Sequence, residues 1–420
     1  FSSGMWTFST LGWPDNWQAG QKSGDLARFH PTQVLETGYD ILTLWVSRMI
    51  MMSLFALGEV PFYEVYLHGL VLDEQGQKMS KSKGNGLDPV AMIELYGADA
   101  VRLSLLMGVT PGNDCRLGTS KIASCRNLVN KLWNIGRYIL SIMPNKAVFV
   151  QNNLDLSSTT LADRWILGRF NNLVSTVSNY IEHYEFSLAS EALRDFTWHD
   201  LADWYLEISK IETSKEKFNI LAYIFKNLLI LWQPFMPFVA EVLWDELGVE
   251  DNLLIAPWPE PREMNSQEEL DFTLVQNLII EIRNIRSLNH ISPAQKMTAT
   301  IIAGKFTEAL KQEAAIIKNL RTGLEAVTIV ASGSVPASSL SGAVGPLSFY
   351  LEGQETSLVN REQLERKIQE LSVAIDNLHR RLHDPEFLSK APEHIIIKEK
   401  NKLTSWQAEL EAWRQQLNKQ

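Results

Sequence analysis

Lys78-Met79-Ser80-Lys81-Ser82-Lys83-Gly84-Asn85 puts three lysines, two hydroxyls and a glycine into eight residues. Lysine is a mobile point charge that suits phosphate oxygens, and glycine lets a backbone close over an anion. The chemistry open to such a run is the holding of phosphate groups. A solvated basic loop is the competing reading of the same residues.

The flanking elements decide how the run is presented. An apolar stretch, Val65 to Leu72, reads as a strand, and Asp73-Glu74-Gln75-Gly76 as a turn. Asp88 is placed to cap a helix that has Pro89 in its first position. The lysines therefore belong on a loop between a strand and a helix. Upstream, Val34 to Thr37 reads as a strand and Asp40 to Leu57 as a buried helix stopped by Gly58. Pro89 to Tyr96, Ala98 to Met107 and Ser120 to Met143 read as three further helices. Alternating strand and helix over residues 1–150 implies half of an α/β nucleotide-binding domain.

Asn145 to Thr159 is polar and weakly patterned, as in a linker. Residues 151–296 then read as mostly α, an antiparallel bundle with helical spacing in Trp165–Ile181, Ala189–Leu206, Phe218–Leu231, Phe238–Leu247 and Gln276–Leu288. Residues 297–355 read as a small α/β unit: strand Thr298–Ala303, helix Lys305–Leu320, strand Ala326–Val330, a Ser/Gly/Pro loop Ala331–Ala343, and a strand from Pro346 to Leu351. In 356–420, Leu364, Ile368, Leu371, Ile375, Leu378 and Leu382 alternate spacings of four and three. Leu403, Trp406, Leu410, Trp413 and Leu417 repeat the pattern, so an antiparallel coiled-coil hairpin is expected. A self-packed strut and an RNA-contacting arm remain alternatives for it; His379, Arg380, Arg381 and His383 form its best basic patch.

At 420 residues and 45% hydrophobic, the chain can bury large cores, and about three domains are expected. The net charge of -10 excludes a generally basic, nucleic-acid-coating protein but not a local basic face. Cys115 and Cys125 are the only cysteines; they make neither a zinc site nor a disulfide framework and fit a reducing cytoplasmic compartment. Ile41 to Leu57 is short for a membrane span and Arg48 interrupts it, so no membrane is expected. The chain begins on Phe1 within motif-like sequence, as expected of part of something longer.

The lysine run matches the Lys-Met-Ser-Lys-Ser signature of class I aminoacyl-tRNA synthetases. Phe1-Ser2-Ser3-Gly4-Met5-Trp6 through Pro14, Glu36-Thr37-Gly38-Tyr39-Asp40-Ile41-Leu42 and Trp45-Val46-Ser47-Arg48-Met49 resemble the valyl-tRNA synthetase family. So do Leu161 to Leu167, Asp203-Trp204-Tyr205 and Gln233 to Phe238. The resemblance implies the second half of a class I Rossmann-type catalytic domain, a helical anticodon-binding domain, the small α/β unit and a tRNA-binding arm.

The same resemblance gives residues roles. Lys78 and Lys81 would be catalytic, holding ATP's triphosphate and stabilising the departing pyrophosphate. Gly38, Asp40, His68, Gly69, Met79, Ser80 and Ser82 would complete the ATP site, with Mg2+ accompanying ATP and no metal held by the protein itself. From the residues alone, Asp40 could equally be a helix cap and His68 a structural histidine. Trp6, Ile41 and Trp45 would wall a pocket for valine, Ile41 and Trp45 sharing a helix face; core packing is the alternative. Arg164 and Trp165, with Arg380 and Arg381, are the candidates for contacting tRNA(Val).

Two expected parts are missing. None of the eight histidines sits in a His-x-Gly-His signature, and no inserted editing domain is present. The expectation is thus a monomer that needs an absent N-terminal half for activity. An isoleucyl- or leucyl-type fragment and a non-catalytic tRNA-binding protein remain as alternatives.

Overall fold

The computed structural model divides the chain into two units, Phe1–Ser266 and Gln267–Gln420. The structure describes residues 1–80, 82–143, 145–150, 159–262, 271–333, 339–353, 356–382, 399–400, 402–403, 406–407 and 410; of 150 and 356–367 it describes only the backbone.

In the first unit, α1 (Ser2–Ser9) is followed by a hairpin of β1 (Trp17–Gln18) and β2 (Gln21–Lys22), by α2 (Gly24–Phe29) and by β3 (Thr32–Gly38). A 3-10 turn (Tyr39–Ile41) and a π-helical segment (Leu42–Val46) lead into α3 (Ser47–Leu57), which Gly58 ends in the left-handed conformation at φ 78°. The expected single helix from Asp40 is therefore three backbone geometries in succession. It is also less buried than expected: its inner face packs Val46 and Met49 with Leu35 and Phe62, whereas Leu44, Met51 and Phe55 stand exposed. Tyr39–Leu57 is long and apolar enough, by length and composition only, to cross a membrane.

β4 (Phe62–His68) pairs in parallel with β3, as a crossover through α3 requires. The expected strand Val65–Leu72 does not run through. It breaks after His68, and β5 (Val71–Leu72) pairs instead with β6 (Cys115–Arg116). The reason is Gly69: a Cβ there would lie 1.8 Å from the Asn113 carbonyl oxygen, so the chain passes another backbone at a distance no side chain allows. Between β5 and β6 stand α4 (Pro89–Tyr96) and α5 (Ala98–Leu106). Asp88 caps α4 through the Val90 N–H and Pro89 opens it, as expected.

From α6 (Thr119–Ile142) the unit is helical. Ile122, Cys125, Leu128, Leu132, Ile135 and Ile139 make its buried stripe. The expected linker contains a short α7 (Ala147–Val150), whose Phe149 is buried. α8 (Leu161–Glu182), α9 (Phe186–Asp195), a π-helical stretch (Phe196–Tyr205), α10 (Leu206–Ser209), α11 (Lys215–Trp232) and α12 (Pro237–Leu247) then form the bundle. Residues from Ala100 to Leu253 share one apolar core, so α5 and α6 are continuous with the bundle. Gly136 allows the crossing of α6 over α11 and α12, because a Cβ would meet Leu243 at 2.5 Å and Phe225 at 2.8 Å. Asp99 of α5, buried, accepts from the N–H groups of Phe238 (3.2 Å) and Val239 (2.7 Å) and so caps α12.

One ionic knot lies inside the bundle. Asp163 forms a capping box with Thr160, accepts from the Tyr205 hydroxyl at 2.7 Å, and meets Lys217 Nζ at 2.5 Å with both side chains 1% exposed. Glu212 stands 3.2 Å from the same ammonium. Burial and the Asp163 charge push the Tyr205 phenol well up.

The second unit starts with α13 (Phe272–Leu288), the expected last bundle helix. Here it packs on a four-stranded sheet of β7 (Met297–Ile302), β8 (Leu324–Val330), β9 (Leu340–Val344) and β10 (Leu347–Glu352), in the order β8-β7-β10-β9. β7 and β8 are parallel, joined through α14 (Thr307–Gln312) and α15 (Ala314–Asn319), which break at Glu313 where one helix was expected. β9 lies within the expected loop. It pairs antiparallel with β10, and Gly342 leaves room for Phe349 and for Ile285 of α13. α16 (Thr356–Leu382) buries Ile375, Leu378 and Leu382 at the expected spacing. The second hairpin helix lies mostly outside the described residues.

Two outcomes follow for the first unit. Lys217→Met should lower its unfolding free energy by about 3–5 kcal/mol, read by denaturant titration of the helical signal, because Asp163 stays buried without its cation. His30 is buried between Thr7 (carbonyl 3.2 Å) and Ser53 (3.2 Å), and burial holds its imidazole below the ordinary 6.5 although Thr7 and Glu59 oppose this. The unfolded histidine takes up its proton at higher pH than the folded one. Stability should therefore fall as pH drops through about 6.5, and His30→Gln should flatten unfolding midpoints measured between pH 7.5 and 5.5.

Candidate active site

The carboxyl ends of β3 and β4 lie side by side, with Gly38 opposite His68. In open α/β sheets this is the edge where ligands sit. Gly38 leaves the space over that edge open: a Cβ would come within 2.8 Å of Asp40 Oδ1 and 3.4 Å of His68 Cε1. Asp40 does not act as a helix cap, since the cap residue is Gly38 and no side chain bonds the helix end. Its carboxylate instead stands 3.4 Å from Lys78 Nζ. His68 places Nε2 3.3 Å from Glu36 and Nδ1 2.8 Å from the Gly69 carbonyl. Asp114 ties the edge together, accepting from the Tyr39 hydroxyl at 3.1 Å and the Leu70 N–H at 2.8 Å.

The lysine loop is a closed structure pinned at its base. Asp73 Oδ1 accepts from the N–H groups of Gln75 and Gln77, and its Oδ2 accepts from Asn85 Nδ2 at 2.7 Å. Asn85 Oδ1 in turn accepts from the Ser80 N–H at 3.0 Å. The Gln77 N–H, and after it Asn85, hold the Asp73 carboxyl below its ordinary range. Lys78 bridges back to Leu72 in antiparallel fashion. Met79 points the other way and packs against the large core of the unit. Ser80 and Ser82 bring their hydroxyls to 3.3 Å of each other, and Ser80 also accepts from the Lys83 N–H. Lys81 lies outside the described residues. Asp73, Asn85 and Asp114 were missed as site residues; the Asp73-to-Gly76 turn was the available signal for the first, and nothing in the sequence marked Asp114.

Trp6, Ile41 and Trp45 sit on adjoining elements. Trp45 donates from its indole nitrogen to the Ser3 carbonyl at 3.0 Å, tying the π-helical segment to α1, which carries Trp6. Trp6 is 51% and Ile41 37% exposed, while Trp45 packs against the Leu35 cluster. The α-helical spacing used to place Ile41 and Trp45 on one face does not hold, because the intervening backbone is π-helical.

The RNA candidates are divided between the two units. Arg164 donates to the Thr159 carbonyl, and Trp165 packs half-buried on the bundle core. Arg380 and Arg381 are exposed on α16 of the other unit.

Comparison with known proteins divides the chain into three stretches. Residues 1–118 match the family model of tRNA synthetases class I (I, L, M and V), residues 163–302 that of the anticodon-binding domain of tRNA ligase, and residues 359–419 that of the valyl tRNA synthetase tRNA binding arm. The valine--tRNA ligase of Carboxydothermus hydrogenoformans is 36% identical over 433 residues, taking in 99% of this chain and 48% of that protein. That of Geobacillus stearothermophilus is 38% identical over 425 residues, with coverage of 96% and 46%. The chain thus spans about half the length of the curated relatives it matches. Among solved structures, LeuRS in a LeuRS-tRNA-LeuAMS ternary complex from Agrobacterium radiobacter K84 shares the fold at a TM-score of 0.51 and 22% identity, over 67% of this chain and 38% of that one.

Asn85→Ala should free the base of the lysine loop. Hydrogen exchange at the Ser80 amide is expected to quicken about tenfold, the net worth of one lost hydrogen bond, with exchange in α6 unchanged.

Proposed function

We propose, for a chain that belongs to the valyl-tRNA synthetase family, that it supplies the Lys-Met-Ser-Lys-Ser half of a valine–tRNA ligase. That enzyme activates valine with ATP to valyl-adenylate and transfers it to the 3′ end of tRNA(Val). The observation that carries the reading is Lys78 facing Asp40 across the carboxyl ends of β3 and β4, beside Gly38 and His68. Asp40 can accept from ribose hydroxyls, Gly38 lets adenosine lie close to backbone, His68 and Gly69 would pass the adenine with theirs, and Lys78 with Lys81 neutralises the triphosphate. Such fixed or closing cations lower the barrier by meeting charge as it develops on the leaving pyrophosphate. Magnesium enters on the phosphates of ATP. Trp6, Ile41 and Trp45 would wall the valine pocket.

In this reading residues 1–150 are catalytic, 151–296 bind the anticodon, 297–355 link, and 356–420 form a hairpin arm against tRNA, with Arg164, Trp165, Arg380 and Arg381 as contacts. A cytoplasmic monomer completes it. Activity needs a second half. β3 and β4 pair only with each other among the described residues, and a parallel pair is stable only when flanked and covered on both faces. The exposed Leu44, Met51 and Phe55 are apolar surface for such a cover.

Valine-dependent ATP–pyrophosphate exchange tests this. The chain alone should give none. Co-expressed with the missing half of a bacterial relative it should exchange with valine, and Lys78→Ala should then lower kcat about a hundredfold. Exchange with isoleucine or leucine instead would move the chain to those families. Tight tRNA binding with no exchange in any combination would leave a binding protein.

A further inference from the structure

A basic cleft opens in the second unit, where the end of α13 and the turn after it face the α15–β8 connection. Its volume is about 850 Å³, and its lining carries Arg283, Arg286, His290, Lys296, Lys318 and Arg321 without one carboxylate. His290, Lys296, Lys318 and Arg321 are exposed at its mouth. Arg283 is pinned by two hydrogen bonds to the Leu320 carbonyl.

Arg286 lies deepest, 6% exposed. It gives Nη2 to the carbonyls of Ser292 (2.9 Å) and Gln295 (2.8 Å), while Nη1 is buried with no hydrogen-bond partner. Among the described residues no acidic group forms an ion pair with it. Burial alone pulls its pKa down, and Arg321 acts on Arg283 in the same direction after burial. An uncompensated buried guanidinium is costly unless an anion completes it. The contrast with Lys217, closed by Asp163 and Glu212, is direct.

The backbone also works to assemble this cluster. His290 and Arg321 hold φ at 54° and 56°, a region side-chain-bearing residues rarely adopt. At Gly323 a Cβ would press on Arg286 Nη2 at 2.7 Å. Two strained backbone positions and one glycine thus line the cleft that holds Arg286.

We infer that this cleft binds the phosphodiester backbone of RNA, with Arg286 and Arg283 as the fixed floor and Lys296, Lys318 and Arg321 as the outer contacts. The cleft is open and larger than one phosphate needs, and its mobile lysines flank a rigid guanidinium pair, which suits consecutive phosphates of a strand. Arg283, Arg286, His290 and Lys296 fall within the stretch matched by the anticodon-binding family, whereas Lys318 and Arg321 lie beyond it and before the tRNA-binding-arm match, so the cleft extends past either matched stretch. The inference rests on the synthetase reading for its choice of RNA.

The test is tRNA binding by the full chain over a salt series, with wild type against Lys296→Ala/Lys318→Ala/Arg321→Ala. Each phosphate contact contributes about 0.7–0.9 to the slope of log K against log salt. The triple variant should bind more weakly and flatten that slope by about 2 or more, with unchanged thermal unfolding. Arg286→Met should raise the melting temperature without RNA and abolish the stabilisation that RNA gives. Unchanged affinity and slope in the triple variant would overturn the inference and leave the ligase reading intact. Stabilisation of wild type by inorganic phosphate alone, with tRNA binding indifferent to the triple, would make this a free-anion site and overturn the RNA assignment. Loss of tRNA binding in the triple, together with failed valine exchange in the complemented enzyme, would sustain the cleft and sink the ligase reading.

Discussion

The parallel register of β3 and β4 is the constraint on which the site depends. Parallel strands need a crossover, and α3 is that crossover, so both strands arrive at the same edge with their carboxyl ends level. Gly38 and His68 are thereby neighbours, and Asp40 begins the next element within reach of Lys78. The collision that any residue but glycine would suffer at position 69 ends β4 there. The chain is then free to pair anew as β5 and to deliver the lysine loop over that edge.

Two treatments of buried charge coexist in the molecule. Lys217 is closed by Asp163, Glu212 and the Thr160 hydroxyl, and the knot also fixes where α8, the end of the π-helical stretch and α11 meet. Arg286 is buried nearly as deeply but is left with backbone carbonyls alone. The first arrangement specifies a fold, since each group has one place to go. The second stores an unmet electrostatic demand at a surface.

Punctuating residues made much of this legible from the sequence. Asp88-Pro89 and Gly97 bound α4, Gly58 ends α3, and the apolar spacing of α8, α11 and α12 survives intact because those helices pack in the bundle. Failures came where long-range contacts overrule local pattern. Nothing near Gly69 announces Asn113 as its neighbour. The π-helical stretches at Leu42–Val46 and Phe196–Tyr205 keep an apolar composition while changing the period, so spacing arguments misplace faces there. β9 is rich in small residues because Phe349 and Ile285 fill the space above Gly342, which in sequence looks like a loop. At the site, the lysines were visible as chemistry, whereas Gly38 entered only through the family resemblance. Asp73 and Asn85, which pin the loop, looked like ordinary turn and loop residues, and nothing in the sequence marked Asp114.

Asp99 caps α12 from 139 residues away in sequence, and Arg102, one turn along the same helix, donates to the Pro234 carbonyl just before it. A helix end normally finds its cap in its own first turn. Here the half of the unit that carries the lysine loop owns the cap of a bundle helix, and each half completes the other's hydrogen bonding. The helix that supplies this cap, α5, is also the one that follows the lysine loop and α4. One carboxylate and two amides make the joint between the loop-bearing part of the unit and its bundle.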